Sequence, residues 1–383
     1  MNFLEAATSE ERLSMMKVFA KKFFERSTKL DEEGNFPFDN IHELVESGYT
    51  TLTVPKKYGG KEISLLEFVQ LQEQIAIGDG ATALSIGWHL GIIKNLGEKE
   101  LWEEALFQWF CEKVKKGALT NGAASERATG SPTRGGKPQT TAELRENQWI
   151  INGRKIFTTM APVLNYFIVS ASIKGRDEVG NFLIPREAEG VKIEETWDSI
   201  AMRGTGSHDL VLTNVEIDEK YLVEIIQPGN KAANGWLLHI PACYLGIAQA
   251  AQNYSIQFAR EYAPNSLNGP IIELPNVKQK IGEMEKELLV ARSFLYAVAR
   301  QWDDALEYER PKMKPELSAA KLVVTNAAIH VVDLAMRLVG ASSLSQKSPL
   351  QRYYRDVRAG LHNPPMDDMT IMQLAQAAIE KNN

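Results

Sequence analysis

The sequence predicts an α+β protein, mostly α: an N-terminal helical domain over 1–118, a small middle β-barrel domain over 119–222, and a C-terminal four-helix bundle over 223–383. Three observations carry this expectation. Up to about residue 118 the chain reads as helices and short loops, with no strand alternation of any length. From there to 222 short β-prone runs are separated by turn residues. Beyond 222 long apolar stripes return, with steps of three and four residues.

In the first stretch helices are expected over Glu10–Arg26 and Asp39–Gly48, and a longer one after Ser64. Ser64, followed by Leu65, Leu66 and Glu67, has the pattern of a capping box, in which serine and glutamate each satisfy an unpaired amide of the first turn. Pro55 and the paired Gly59 and Gly60 mark a loop between them. In the second stretch Asn152-Gly153 lies between two β-prone runs, a strong hairpin signal. Further strands are expected over Tyr166–Ile173, Asn181–Pro185, Gly190–Glu194 and Asp209–Ile217, a spacing that suits a small barrel or sandwich. In the third stretch apolar stripes run from Ile247 to Tyr262, Val277 to Trp302, Leu317 to Leu338 and, shorter, Ile371 to Ala378. Four such seams describe an antiparallel bundle, and near-heptad spacing also allows pairing between subunits.

Composition excludes several classes. The formal net charge of −6 gives no basis for binding nucleic acid or an anionic membrane. The basic run Lys113–Lys116, followed by Gly117, reads as a solvated helix C-terminus. Two cysteines, Cys111 and Cys243, and six scattered histidines form no metal-ligand pattern, so no metal is expected. No basic segment followed by an apolar stretch opens the chain, and no run of eighteen apolar residues occurs, so a cytoplasmic protein is expected.

Five local sequences, in order, carry a resemblance: Gly48–Gly60, Ala124–Ser131, Ile151–Thr159, Met202–Asp209 and Tyr354–Arg358. With the helical, β, helical order they resemble the acyl-CoA dehydrogenase family over almost the whole chain. The resemblance implies a flavin, FAD with FMN possible, between the β-domain and the bundle. Carried over by position, Ala124 and Ser125 would meet the pyrimidine side of the ring, and Gly130 and Ser131 the pyrophosphate and substrate. Phe157 would pack on the ring, and Thr159 would reach N5. It further implies an α,β-desaturation of an acyl thioester, an electron-transfer protein as acceptor, and a homotetramer. Read without the resemblance, Phe157 is an ordinary strand core residue, and Ser125 and Thr159 are turn and strand polars.

The chain also departs from that family. A count from Arg355 to the usual catalytic glutamate reaches Pro364, and the alternative position for the base falls near Trp236. Ser266 stands where an arginine usually reaches the flavin pyrophosphate, which makes Arg337 the candidate replacement. His362 lies beside the missing glutamate and can move a proton near neutral pH, or is a loop histidine without a role. Asp367 and Asp368 are carboxylates nearby, or the first turn of a helix. The segment His362-Asn363-Pro364 is similar to one in reduced-flavin monooxygenases of this fold, which implies an aromatic substrate and a flavin reductase as partner. A degenerate, non-catalytic member is the third possibility.

Overall fold

The computed structural model describes residues 1–129, 136–226 and 232–381. The first stretch forms α1 (Ser9–Glu33), α2 (Phe38–Glu46), α3 (Leu65–Gly78), α4 (Gly80–Lys99) and α5 (Glu104–Lys115). Only half of the expected capping box forms at α3. Ser64 Oγ accepts from the Glu67 amide at 3.1 Å, but the Glu67 carboxylate is drawn away to pair with Arg12 of α1. The amides of Leu65 and Leu66 are taken instead by the carboxylate of Asp303, at 2.7 and 2.9 Å. A full box closes at α1, between Thr8 and Glu11.

The middle stretch forms β1 (Thr120–Ala123), β2 (Thr141–Arg145), β3 (Gln148–Thr158), β4 (Tyr166–Ile173), β5 (Val179–Pro185), β6 (Val191–Glu194), β7 (His208–Asp218) and β8 (Leu222–Ile226). They make one eight-stranded sheet in the order β6-β7-β3-β2-β4-β5-β8, with β1 parallel to β4. Two expectations need correction. Asn152-Gly153 is no hairpin: β3 runs straight through it, paired with β2 on one side and β7 on the other, and a register shift against β7 falls between Ile151 and Gly153. A Cβ at residue 153 would meet Thr140 Oγ1 at 2.3 Å, so glycine is required there for close approach rather than for a turn. The hairpin turns one segment earlier, at Glu146-Asn147, where Glu146 adopts φ +53°. The sheet also passes the boundary expected at 222, because β8 pairs with β5 along Val179–Phe182.

The last stretch forms α6 (His239–Glu261), α7 (Pro275–Asp304), α8 (Lys314–Val339), α9 (Pro349–Ala359) and α10 (Asp367–Glu380). The α7 and α8 stripes are buried along almost their whole length, from Val277 to Trp302 and from Leu317 to Leu338. The fourth expected seam is not: α10 buries Thr370 alone and leaves Ile371, Met372 and Ile379 exposed. The place against α6 and α8 is taken by α9, through Leu350, Tyr353 and Val357. Arg310–Leu344 is long and apolar enough to cross a membrane, with mean hydropathy 1.6 over its most apolar window, but half of that window is buried in the bundle.

Candidate active site

β1 and β3 end side by side. The Ile156 amide donates to the Ser125 carbonyl at 2.9 Å, which brings the half-buried Ala124 and Ser125 next to the end of β3. Below them lies a buried ion pair that the sequence did not disclose. Lys155, with no exposed surface, donates to Glu126 at 2.6 Å. The same carboxylate accepts from the Gln139 and Thr140 amides and from the Thr140 hydroxyl. Burial opposes ionisation of Glu126, but the hydrogen bonds from Lys155 and Thr140 outweigh it and hold the carboxyl below its ordinary value. Burial pulls the Lys155 pKa down, and Glu126 offsets only part of that. Glu126 is thus a scaffold under the site, not a group on its surface.

His89 on α4 supports β1 from beneath. Its Nδ1 accepts from the Thr120 amide at 3.1 Å, so Nε2 carries the proton and donates to the Thr50 carbonyl. Burial pushes its pKa down to about 4, which keeps the ring neutral.

Beside Ala124 and Ser125 stand the exposed Phe157, the half-buried Thr159 and the segment 197–207, whose Met202, Thr205 and Ser207 are buried. Phe157 is 59 % exposed and adopts φ +57°, unusual for a bulky residue in a strand. Its ring meets Trp197 edge-on, with centroids 6.1 Å apart. Thr159 Oγ1 lies 3.0 Å from Ser207 Oγ, which lies 2.8 Å from Thr205 Oγ1. Asn121 holds the Thr159 carbonyl at 2.9 Å, and the Met160 amide donates to the Thr205 carbonyl at 3.0 Å. Non-glycine residues with positive φ recur here: Phe157, Met160 and Met202. Such strain persists where the surroundings over-determine it, which is characteristic of functional sites.

Of the residues singled out in the sequence, Ala124, Ser125, Phe157 and Thr159 come together. Gly130 and Ser131 lie outside the described residues. Arg337 is exposed in the last turn of α8. His362 is exposed as well; the residue that anchors its loop is Asn363, whose side-chain oxygen accepts from the buried Tyr244 hydroxyl. Asp367 is engaged structurally, accepting from Lys321 at 3.2 Å and Asn326 at 2.9 Å in the first turn of α10. Asp368 accepts from the Met369 amide. A cavity of about 750 Å³ lies among Leu237, Leu317, Met369 and Met372, and Pro364 and Pro365 also line it. At the other base position, the Trp236 indole packs parallel to His239, centroids 5.9 Å apart. Burial pushes the His239 pKa down to about 3, so it is no base at neutral pH.

Sequence comparison gives the kinship. The N-terminal, middle and C-terminal domain models of acyl-CoA dehydrogenase match residues 7–108, 121–215 and 238–363. A relative named "Putative acyl-CoA dehydrogenase YdbM", from Bacillus subtilis (strain 168), is 54% identical over 374 residues, covering 97% of this chain and 98% of that protein. The chain belongs to the acyl-CoA dehydrogenase family. Members of this family are flavoprotein oxidoreductases. Among solved structures, the butyryl-CoA dehydrogenase of Megasphaera elsdenii shares the fold at TM-score 0.86 and 20% identity, covering 99% of this chain and 100% of that one. TdsC of Paenibacillus sp. A11-2, solved with FMN and indole, does so at TM-score 0.85 and 23% identity, covering 96% and 97%.

The residues of this acyl-CoA dehydrogenase relative fit a flavin ring. Phe157 offers an open aromatic face, and among the described residues the Thr159 hydroxyl is engaged only by another hydroxyl, so it can still serve a ring nitrogen.

Proposed function

We propose that the protein is a flavin-dependent oxidoreductase that desaturates an acyl thioester between its α and β carbons and passes the electrons to a protein acceptor. The supporting observation is the exposed, strained Phe157 beside the Thr159–Ser207 hydroxyl pair, in a chain related end to end to YdbM. FAD is the expected flavin, and when bound it supplies hydride acceptance. The chain's own part is to cover one face of the ring with Phe157, to hold a hydroxyl at its edge with Thr159, and to keep both rigid through Lys155–Glu126 and the 197–207 segment.

A second reading is a monooxygenase served by a separate flavin reductase. One observation favours it: among the described residues neither usual base position holds a carboxylate, since Pro364 and Trp236 stand there and His362 faces solvent. Anaerobic mixing with a panel of acyl-CoA esters separates the two. Bleaching of the bound flavin supports desaturation. No bleaching, with oxygen consumed on supply of reduced flavin and an aromatic substrate, supports the second reading; neither response would leave a non-catalytic member.

Phe157→Ala should weaken flavin binding about 3- to 10-fold, the range expected for losing one aromatic contact. Mass analysis of the released cofactor identifies FAD or FMN, and an unchanged dissociation constant would remove Phe157 from the ring.

A homotetramer, or at least a dimer, is also proposed. The heptad-like stripes are spent inside the chain, so the subunit contact must use outward residues such as Leu289 and Val290 of α7 and Ile371 and Met372 of α10. Sedimentation of a stable monomer at micromolar concentration would rule this out.

A further inference from the structure

The 197–207 segment of the middle domain is gripped from the C-terminal bundle. Asp356, buried on α9, accepts from the Met202 amide at 2.6 Å. Its neighbour Arg355 donates to the Ile200 carbonyl and pairs with Asp31 of α1. Arg203 donates to the Asp31 carbonyl at 2.8 Å, a further tie between this segment and α1.

Met202 is the joint between this grip and the residues Phe157 and Thr159. Its carbonyl accepts from Thr205 Oγ1 at 3.0 Å and from the Trp197 indole at 3.2 Å. Thr205 leads through Ser207 to Thr159, and Trp197 leads to Phe157. Met202 itself adopts φ +51°, a conformation that L side chains rarely take unless held there. One backbone amide therefore stands behind both the hydroxyl pair and the aromatic wall.

We propose that Asp356 is a positioning residue for the flavin face: by holding the Met202 amide it fixes, as one piece, the Thr159–Ser207 hydroxyls and the Trp197–Phe157 wall. The proposal rests on the reading of that face as the flavin site. The bundle then sets the surface that the middle domain presents. Asp356 touches neither hydroxyl nor ring, so its effect must pass through the segment. The side-chain requirement is narrow: an oxygen acceptor at the reach of an aspartate, which asparagine keeps and alanine or serine lose.

The test uses the full-length protein, with and without its flavin, in wild-type, D356A, D356S and D356N forms. Amide hydrogen exchange is followed by mass spectrometry, and flavin absorbance and dissociation are measured in parallel. In D356A, amides of 197–207 and 156–160 should exchange about 10-fold faster or more, as expected for losing a buried hydrogen bond, while α3 and α7 keep their protection. The flavin absorbance should shift, and flavin should dissociate about 10-fold more readily. D356N should restore both readouts. D356S carries the same expectations as D356A if the latter does not fold. Wild-type exchange in those segments overturns the proposal, as does uniform loosening of the whole molecule or a D356N no better than D356A. So does a protein in which neither truncation folds while D356N does, since that is a purely structural role. If the wild-type protein binds no flavin, the functional reading falls, while the exchange result still decides the grip.

Discussion

Glu126→Leu is expected to destabilise the protein by about 3–5 kcal/mol, the cost of leaving a buried charge without its partner. Lys155 is fully buried, and among the described residues its ammonium reaches only Glu126 and, at 3.4 Å, the Ser170 hydroxyl. Remove the carboxylate and the lysine must either stay charged in a dry site or give up its proton. Lys155→Met should cost less, because Glu126 keeps three donors, the two amides and hydroxyl of Gln139 and Thr140. The double variant should fall well short of the sum, since it leaves no charge stranded. Denaturant unfolding of the two single variants and the double one measures this. Additivity within about 0.5 kcal/mol would show that the pair is not coupled.

Raising the pH from 5 to 8 is expected to weaken the fold by about 2–3 kcal/mol through Asp356 alone. Burial pushes its pKa from the ordinary 3.8 up to about 7; the Met202 amide, Arg352 and Arg355 pull it back, and Asp31 pushes it further up. Around it stand Asp31 of α1, Asp79 before α4, Cys243 and Tyr244 of α6, and Arg352 and Tyr353 of α9, with Arg203 on the same loop. Because the folded pKa is the higher one, the folded state holds the proton more tightly than the unfolded chain. That contribution is complete below about 3.8 and is lost as pH rises through about 7, the reverse of the usual acid lability. D356N cannot titrate, so the stability of wild type relative to D356N should fall by this amount between pH 5 and 8. A difference independent of pH would mean that Asp356 is not protonated in this range.

The architecture was legible where one residue's neighbours in sequence decide its environment. The stripes of α7 and α8 declared themselves because burial follows a period that the chain itself displays, and the strand Tyr166–Ile173, buried on both faces, because its β-prone run is bounded by turn residues. Asn152-Gly153 misled for the opposite reason: its glycine answers to Thr140, just before the neighbouring strand β2, and not to its own backbone. The α10 stripe also misled, since periodicity tells which residues share a face but not whether anything covers it. At the candidate site, family motifs point to Phe157 and Thr159, which the fold brings close to Trp197 and Ser207. Lys155–Glu126 and Asp356–Met202 were not, because their partners are separated by 29 and 154 positions.

The carboxylate of Asp303 that closes the first turn of α3 comes from the far end of α7, 238 positions away from Leu65. During synthesis, therefore, α3 leaves the ribosome long before the carboxylate that takes its Leu65 and Leu66 amides and before α6, against which it packs. The three segments that family models treat separately are thus not three independent folding units. The first third of the chain can collapse early but leaves one helix without that carboxylate and without its α6 partner until the bundle is made, exposing apolar surface in the interval. A truncated chain ending after β8 should accordingly be aggregation-prone.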